Sequence, residues 1–328
     1  MEQRSAERLD VEVSAIGLGT WQLGADWGSV DPADAAAILD ASVQAGVTFF
    51  DTADVYGDGR SERAIGAYLT RNGDVPVTVA TKMGRRGPQN PDEFTLENFR
   101  RWTERSRENL RTDVLDLVQL HCPPEPTLEL DQVYDDLDTL VDEGGVAAYG
   151  VSVETADEAL AAIARPNVAS VQIIINAFRV KPLDLVLPAA VEAGVAIIVR
   201  VPLASGLLSG RYTTETVFAE NDHRSFNRHG EAFDVGETFS GVDFERGVAA
   251  AREFATLAAS VGLAPSVAAL AWVSQLPGVT TVIPGARTLE QARANASAGS
   301  VAALGDAFTA SVIDIYDRYF RAAVHPRW

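Results

Sequence analysis

Four side chains able to hold or pass a proton stand where apolar, strand-like runs break off. The run Val47-Thr-Phe-Phe ends in Asp51, and Tyr56 follows five positions later; Lys82 ends a second apolar run and His121 a third. A tyrosine hydroxyl normally titrates near ~10, and an ammonium beside it favours the phenolate and lowers that value. Lys82 is placed to supply that charge, and Asp51 to keep Lys82 protonated and oriented. His121, with an ordinary pKa near ~6.5, can donate a hydrogen bond to a substrate oxygen or share the relay. Such a group can protonate an alkoxide forming from a carbonyl. Taken singly, Asp51 and Lys82 also read as a structural ion pair and Tyr56 as packing. The coincidence of all four at three successive strand ends is what favours chemistry.

These groups need elements to hold them. Short β-branched runs alternate with Ala-rich amphipathic stretches. The pattern predicts strands over 16–21, 47–52, 77–82, 115–121, 147–153, 170–176, 196–202 and 280–284. It predicts helices near 32–45, 61–72, 95–110, 131–143, 156–164, 185–193, 245–274 and 288–297. Asp31-Pro32 reads as an N-cap and first helical residue. Thr155 with Glu158, and Thr288 with Gln291, fit capping boxes; Gly46 and Gly194 fit helix stops. Eight strand–helix units predict an α/β fold, a (β/α)8 TIM barrel in which all 328 residues form one domain, with an additional C-terminal helix over 307–323. An open doubly wound sheet is the alternative. The longest loop, 211–241, carries His223, His229 and four phenylalanines, and its length suggests a lid or binding loop.

Composition narrows the partners. A net charge of −19 repels phosphate backbones, so nucleic acid is not expected. No long apolar run suggests a membrane span, and no signal segment is evident. One cysteine, Cys122, precludes an internal disulfide and favours a reducing cytoplasm. Adjacent residues on a strand point to opposite faces, so His121 and Cys122 do not make a thiol dyad. Asp51, Asp54, Asp58 and Glu62 miss the calcium-loop pattern, and no metal is expected. Only two lysines, Lys82 and Lys181, stand against 25 arginines, yet one of the two closes a strand.

An anionic cofactor would need local cations in so acidic a protein. Gly17-Leu-Gly-Thr-Trp-Gln-Leu-Gly24 has the wrong spacing for a dinucleotide fingerprint. Better signals follow the seventh strand, in Pro202-Leu-Ala-Ser-Gly-Leu-Leu-Ser-Gly-Arg211, and the eighth, in Ile283-Pro-Gly-Ala-Arg287. Loops after strands seven and eight, with a helix N-terminus, commonly bind phosphate in barrels.

With these motifs assembled, the chain resembles the aldo-keto reductases over about Ser14–Ala298. The resemblance rests on Phe50-Asp-Thr-Ala-Asp-Val-Tyr-Gly with Ser61-Glu62, Thr81-Lys82, Leu120-His121, Gly150-Val-Ser152, Val171-Gln172, the 202–210 segment and Ile283-Pro-Gly285. It implies the (β/α)8 fold and a catalytic tetrad of Asp51, Tyr56, Lys82 and His121, with Tyr56 the proton donor. The implied cofactor is NADP(H), with NAD(H) left open, and the substrate a small carbonyl compound, a sugar or keto-sugar included. Gly19, Thr20 and Trp21 would border the nicotinamide, and Ser152 and Gln172 would contact its carboxamide. Leu203, Ser205, Leu207, Ser209 and Arg211 would form the pyrophosphate loop. Gly285, Arg287, Gln291 and Asn295 would take the adenosine end, Arg287 favouring a 2′-phosphate. Trp21 and Trp27 would join Tyr56 and His121 around the substrate. Two departures stand out: Val153 replaces a common Asn, and Arg200 replaces the aromatic residue that commonly stacks on the nicotinamide. A redox-neutral lyase or isomerase, and a cofactor-sensing regulatory subunit, are the competing functions; oligomeric state is not legible.

Overall fold

The structure is a computed structural model and describes residues 1–24, 31–73 and 75–328; Trp27, expected at the substrate site, lies outside them. An antiparallel hairpin, β1 (Gln3–Ala6) and β2 (Val11–Ser14), precedes the barrel. The barrel strands are β3 (Leu18–Gly19), β4 (Phe49–Asp51), β5 (Thr78–Met83), β6 (Leu117–His121), β7 (Tyr149–Ser152), β8 (Ser170–Ile174), β9 (Ala196–Arg200) and β10 (Thr281–Val282). All run parallel, each beside its predecessor. The last strand returns to the first through parallel bridges Ile16–Val282 and Gly19–Gly285, which closes the (β/α)8 barrel. The helices are α1 (Pro32–Gln44), α2 (Arg60–Asn72), α3 (Leu96–Leu110), α4 (Asp131–Asp142), α5 (Ala156–Ile163), α6 (Pro182–Ala193), α7 (His223–Phe226), α8 (Phe244–Ser260), α9 (Pro265–Ser274), α10 (Leu289–Ser297), α11 (Gly305–Tyr319) and α12 (Arg321–Val324).

Strand parity divides the core in two. Alternate side chains of a strand point to opposite faces. Phe50, Val79, Val118, Leu120, Val151, Val171, Ile173, Ile197 and Val199 face outward into the large core shared with the helices. Phe49, Ala80, Leu117, Ile198 and Ile283 form a separate inner cluster, which Val13 of the N-terminal hairpin joins. Two residues further along those strands, on the inner face, come Asp51, Lys82, Gln119 and Arg200. The barrel therefore has an apolar floor and a polar mouth.

Helix ends follow the local chemistry. Asp31 accepts from Ala33 N, and Thr155 and Glu158 form the complete capping box, an arrangement each worth about 1 kcal/mol. The second expected box is incomplete: Thr288 accepts from Gln291 N, but Gln291 Oε1 reaches one residue further back, to Arg287 N at 2.7 Å. The single helix expected over 245–274 is two. Gly262 adopts φ +72 and Pro265 starts a new helix, because proline cannot continue one through its missing N–H, and α8 and α9 meet at 82°. The 211–241 loop is more ordered than expected, holding α7 and tight turns at 235–237 and 239–241. Among the described residues no single helix is long and apolar enough to cross a membrane.

Candidate active site

Asp51 and His121 end β4 and β6, Lys82 stands one residue before the end of β5 between them, and the segment after β4 brings Tyr56 over them. That segment is fixed by backbone packing and charge. Gly57 has φ +58, and a Cβ there would lie 2.2 Å from Gly24 O, so only glycine fits beside the β3 loop. Asp58, at φ 53, accepts from Arg86 Nη2 at 2.6 Å and Arg105 Nη2 at 2.8 Å. From the other side, Thr20 donates its N–H and hydroxyl to Asp51 O at 2.9 and 2.7 Å.

Lys82 Nζ donates to Asp51 Oδ1 at 2.5 Å, to Thr52 O at 2.8 Å and to the Tyr56 hydroxyl at 3.5 Å. The remaining carboxylate oxygen, Asp51 Oδ2, accepts from Gln172 Nε2 at 2.7 Å and Gln119 Nε2 at 3.4 Å. Gln172, expected against the nicotinamide carboxamide, thus has its amide turned down onto Asp51. The His121 ring stands edge-on to Tyr56 at 5.9 Å, and Trp21 stacks on Tyr56 at 6.0 Å.

The expected depression of the tyrosine is reversed. Burial of the hydroxyl, with the Asp51 and Glu237 carboxylates nearby, pushes Tyr56 well above its ordinary value. Burial lowers the Lys82 ammonium against the pull of Asp51. Burial, with Arg85, Lys82 and Arg200 close by, holds His121 well below its ordinary value, hence neutral near pH 7. A phenol kept protonated beside an ammonium can donate a proton; a neutral imidazole can donate one hydrogen bond. Burial pushes the Cys122 thiol up to about 12, so it is not a thiolate nucleophile.

An ionic cluster covers this group. Arg200 Nη2 meets Glu154 Oε2 at 2.9 Å, Val153 O at 3.0 Å and Cys122 Sγ at 3.7 Å; its Nη1 lies 3.8 Å from Glu237 Oε1. Arg85 Nη1 donates to the same Glu237 oxygen at 2.8 Å. Burial alone would raise the Glu237 carboxyl, but Arg85 and Arg200 overcome it and hold it low; burial raises Glu154 against Arg200. Glu237 arrives from the 211–241 loop, which also brings His223 and Phe233 against Trp21, at 4.9 and 6.0 Å. Four of these neighbours escaped the sequence reading, whereas His223 and Phe233 belong to the loop it singled out. Gln119 was two residues before His121 on one strand face, and Arg85 and Glu154 lie just past strand ends, so parity and position could have found them. Nothing local marks Glu237.

The loops after β9 and β10 hold the expected cofactor residues. Ala204, Ser205 and Gly206 all have positive φ, at 47, 52 and 96. Ser205 Oγ donates to Glu237 O and accepts from Phe239 N, both at 3.0 Å, so the 211–241 segment holds this hydroxyl. Leu203 is half-buried, and Leu207 lies wholly in the core, where its carbonyl accepts from Gly210 N at 3.1 Å. Ser209 Oγ donates to Gly206 O at 2.6 Å. Asn295 Nδ2 donates to Gly285 O at 3.1 Å, and Gln291 is tied to Arg287 N. Arg211 and Arg287 are exposed. Ser152 is fully buried on the inner face, 3.6 Å from Cys122 Sγ, and Gly19 borders the mouth.

The family model for the aldo/keto reductase family matches residues 15–317. An uncharacterized oxidoreductase of Mycobacterium tuberculosis is 33% identical over 306 residues, covering 89% of this chain and 88% of its own. The glycerol dehydrogenase AKR11B4 of Gluconobacter oxydans superposes with a TM-score of 0.78 at 26% identity, over 97% of this chain and 95% of that one. The Klebsiella pneumoniae aldo/keto reductase in complex with NADP and acetate has the same fold, with a TM-score of 0.72 at 23% identity over 96% of each chain.

Proposed function

The chain belongs to the aldo/keto reductase family and is an NAD(P)-dependent oxidoreductase; from that premise we propose that it reduces a small aldehyde or ketone with NADP(H), Tyr56 being the general acid. The observation that carries the reading is the Lys82 ammonium set between Asp51 Oδ1 and the Tyr56 hydroxyl, with His121 beside them.

The chain's groups fit a dinucleotide. Arg200 Nε is buried without a hydrogen-bond partner, and the exposed cations Arg211 and Arg287 stand at the loops after β9 and β10. These suit, in order, the nicotinamide, diphosphate and 2′-phosphate ends. Gly19, Thr20 and Trp21 would border the nicotinamide, and Ser152 its carboxamide; Gln172 would have to leave Asp51 to join it. Ser205, Ser209 and the backbone of Leu203 would face the diphosphate, once the 237–239 segment releases Ser205, and the buried Leu207 would hold the loop to the core. Gly285, Gln291 and Asn295 would frame the adenosine. The cofactor, when bound, supplies a hydride to the carbonyl carbon. Tyr56 and His121 hold the carbonyl oxygen by hydrogen bonds, and Tyr56 passes its proton to that oxygen as negative charge develops. Lys82 then stabilises the phenolate, and Asp51, held by Gln172 and Gln119, keeps Lys82 in place. Trp21, His223 and Phe233 wall the substrate from water.

The NADP in the Klebsiella complex supports the cofactor assignment, and the single cysteine supports a cytoplasmic setting. The decisive experiment is an NADPH-oxidation screen over aldehydes, ketones, keto-sugars and oxo acids. Absence of any turnover across all four classes would remove the proposal.

A further inference from the structure

The reaction above gives no part to Arg85. It stands three residues past Lys82, with Nη1 2.8 Å from Glu237 Oε1 and 3.5 Å from His121 Nε2. Its side chain keeps 22% exposure, and its Nε and Nη2 make no hydrogen bond or ion pair with any described residue. One edge of the guanidinium fork is therefore without a polar partner among the described residues, and the Phe233 ring centroid lies 5.8 Å from the guanidinium carbon. Across the mouth, Arg200 Nη1 lies 3.8 Å from the same Glu237 oxygen. A carboxylate delivered from 152 residues away in the chain thus lies between two guanidinia, beside the groups that handle the carbonyl.

Guanidinium forks match carboxylates bidentately. Glu237 engages only Nη1 of Arg85, so the rest of the fork can take a further acceptor in the same way. Building on the reading that Tyr56 and His121 hold the carbonyl oxygen, we propose that Arg85 determines specificity by anchoring a carboxylate of the substrate, and that Glu237 is the fold's own occupant of that subsite. The separation of Arg85 from His121 limits the reach: the carboxylate stands one or two carbons from the carbonyl, as in a 2-oxo or 3-oxo acid. The products balance as in the reaction above. The hydride of NADPH goes to the carbonyl carbon and the Tyr56 proton to the oxygen, giving a hydroxy acid and NADP+.

The test compares 2-oxobutanoate with its methyl ester, which keeps the ketone and removes the charge. Steady-state kcat/KM with NADPH is measured for both, and each is titrated calorimetrically into enzyme saturated with NADP+, where no turnover occurs. The unaltered protein is expected to prefer the acid at least about tenfold in both measurements. In Arg85→Gln the acid-to-ester ratio falls toward one, and Arg85→Lys restores part of it. In Glu237→Gln the acid binds several-fold tighter, because its competitor has lost its charge. An unaltered ratio in Arg85→Gln, equal losses for acid and ester, or no preference in the parent protein would each overturn the proposal. Turnover of the ester alone leaves the carbonyl-reductase reading standing while removing this one; turnover of neither, in a screen otherwise empty, removes both.

Discussion

Lys82 Nζ lies 2.5 Å from Asp51 Oδ1 and 3.5 Å from the Tyr56 hydroxyl, so the ammonium is held first by the carboxylate and only reaches toward the phenol. Tyr56 accordingly keeps its proton in this structure, where burial and two carboxylates outweigh the cations around it. The proton is stored on the group that must give it away.

Replacing that group tests the division of labour. Tyr56→Phe should lower kcat/KM for any reduced carbonyl by roughly 10²–10⁴-fold, the usual contribution of a positioned acid. Its affinity for NADPH should change by less than about twofold, measured by quenching of intrinsic fluorescence. Unchanged turnover in this variant would refute the role of Tyr56.

Arg287 is exposed beside the start of α10. A guanidinium bound to a phosphate makes charge-assisted contacts, so Arg287→Ala should raise the Kd for NADPH by about tenfold, roughly 1.4 kcal/mol, and leave that for NADH nearly as before. Equal weakening of both would argue against a 2′-phosphate contact.

Asp54 predicts a pH effect on stability. Burial, with Glu62 nearby, pushes its carboxyl up to about 7 from 3.8, and its Oδ1 is buried without a partner. An acid with a raised folded pKa contributes its full stability below the unfolded value and loses it as pH rises through the folded one. The wild-type protein should therefore lose stability between about pH 4 and pH 7 through this group, with a ceiling near 4 kcal/mol for about three units. Asp54→Asn does not titrate, so its advantage in thermal melts should be larger at pH 8 than at pH 4.5. A constant difference across that range would contradict the assignment.

Gly206 sits at φ +96 in the loop after β9, and a Cβ there would lie 2.3 Å from the Tyr212 hydroxyl. Gly206→Ala should cost about 1–3 kcal/mol in urea unfolding, from the left-handed backbone and the displaced tyrosine. A loss below about 0.5 kcal/mol would mean that the loop rearranges freely.

The barrel and the identity of its mouth were legible because both rest on local regularities. Period-two alternation places Asp51, Lys82 and His121 on inner faces, and glycine, proline and capping residues punctuate the units between strands. The same locality explains the failures. The run over 245–274 reads as one helix because both halves are apolar, and only Gly262 and Pro265 betray the break. Gln291 reads as a capping-box partner, but its rotamer carries it one residue further back.

By itself the sequence determined which residues end the strands, which of them can carry protons, and that cations follow the last two strands. Only the tertiary structure decided the state of Tyr56, since burial and the approach of Glu237 outweigh the neighbouring ammonium that chain order suggests. It alone decided that Gln172 turns onto Asp51, and that Glu237 meets Arg85 across 152 residues of chain. Strand parity is written into every second residue. A contact across the barrel mouth depends on how a long loop closes, and no periodic signal in the chain encodes that closure.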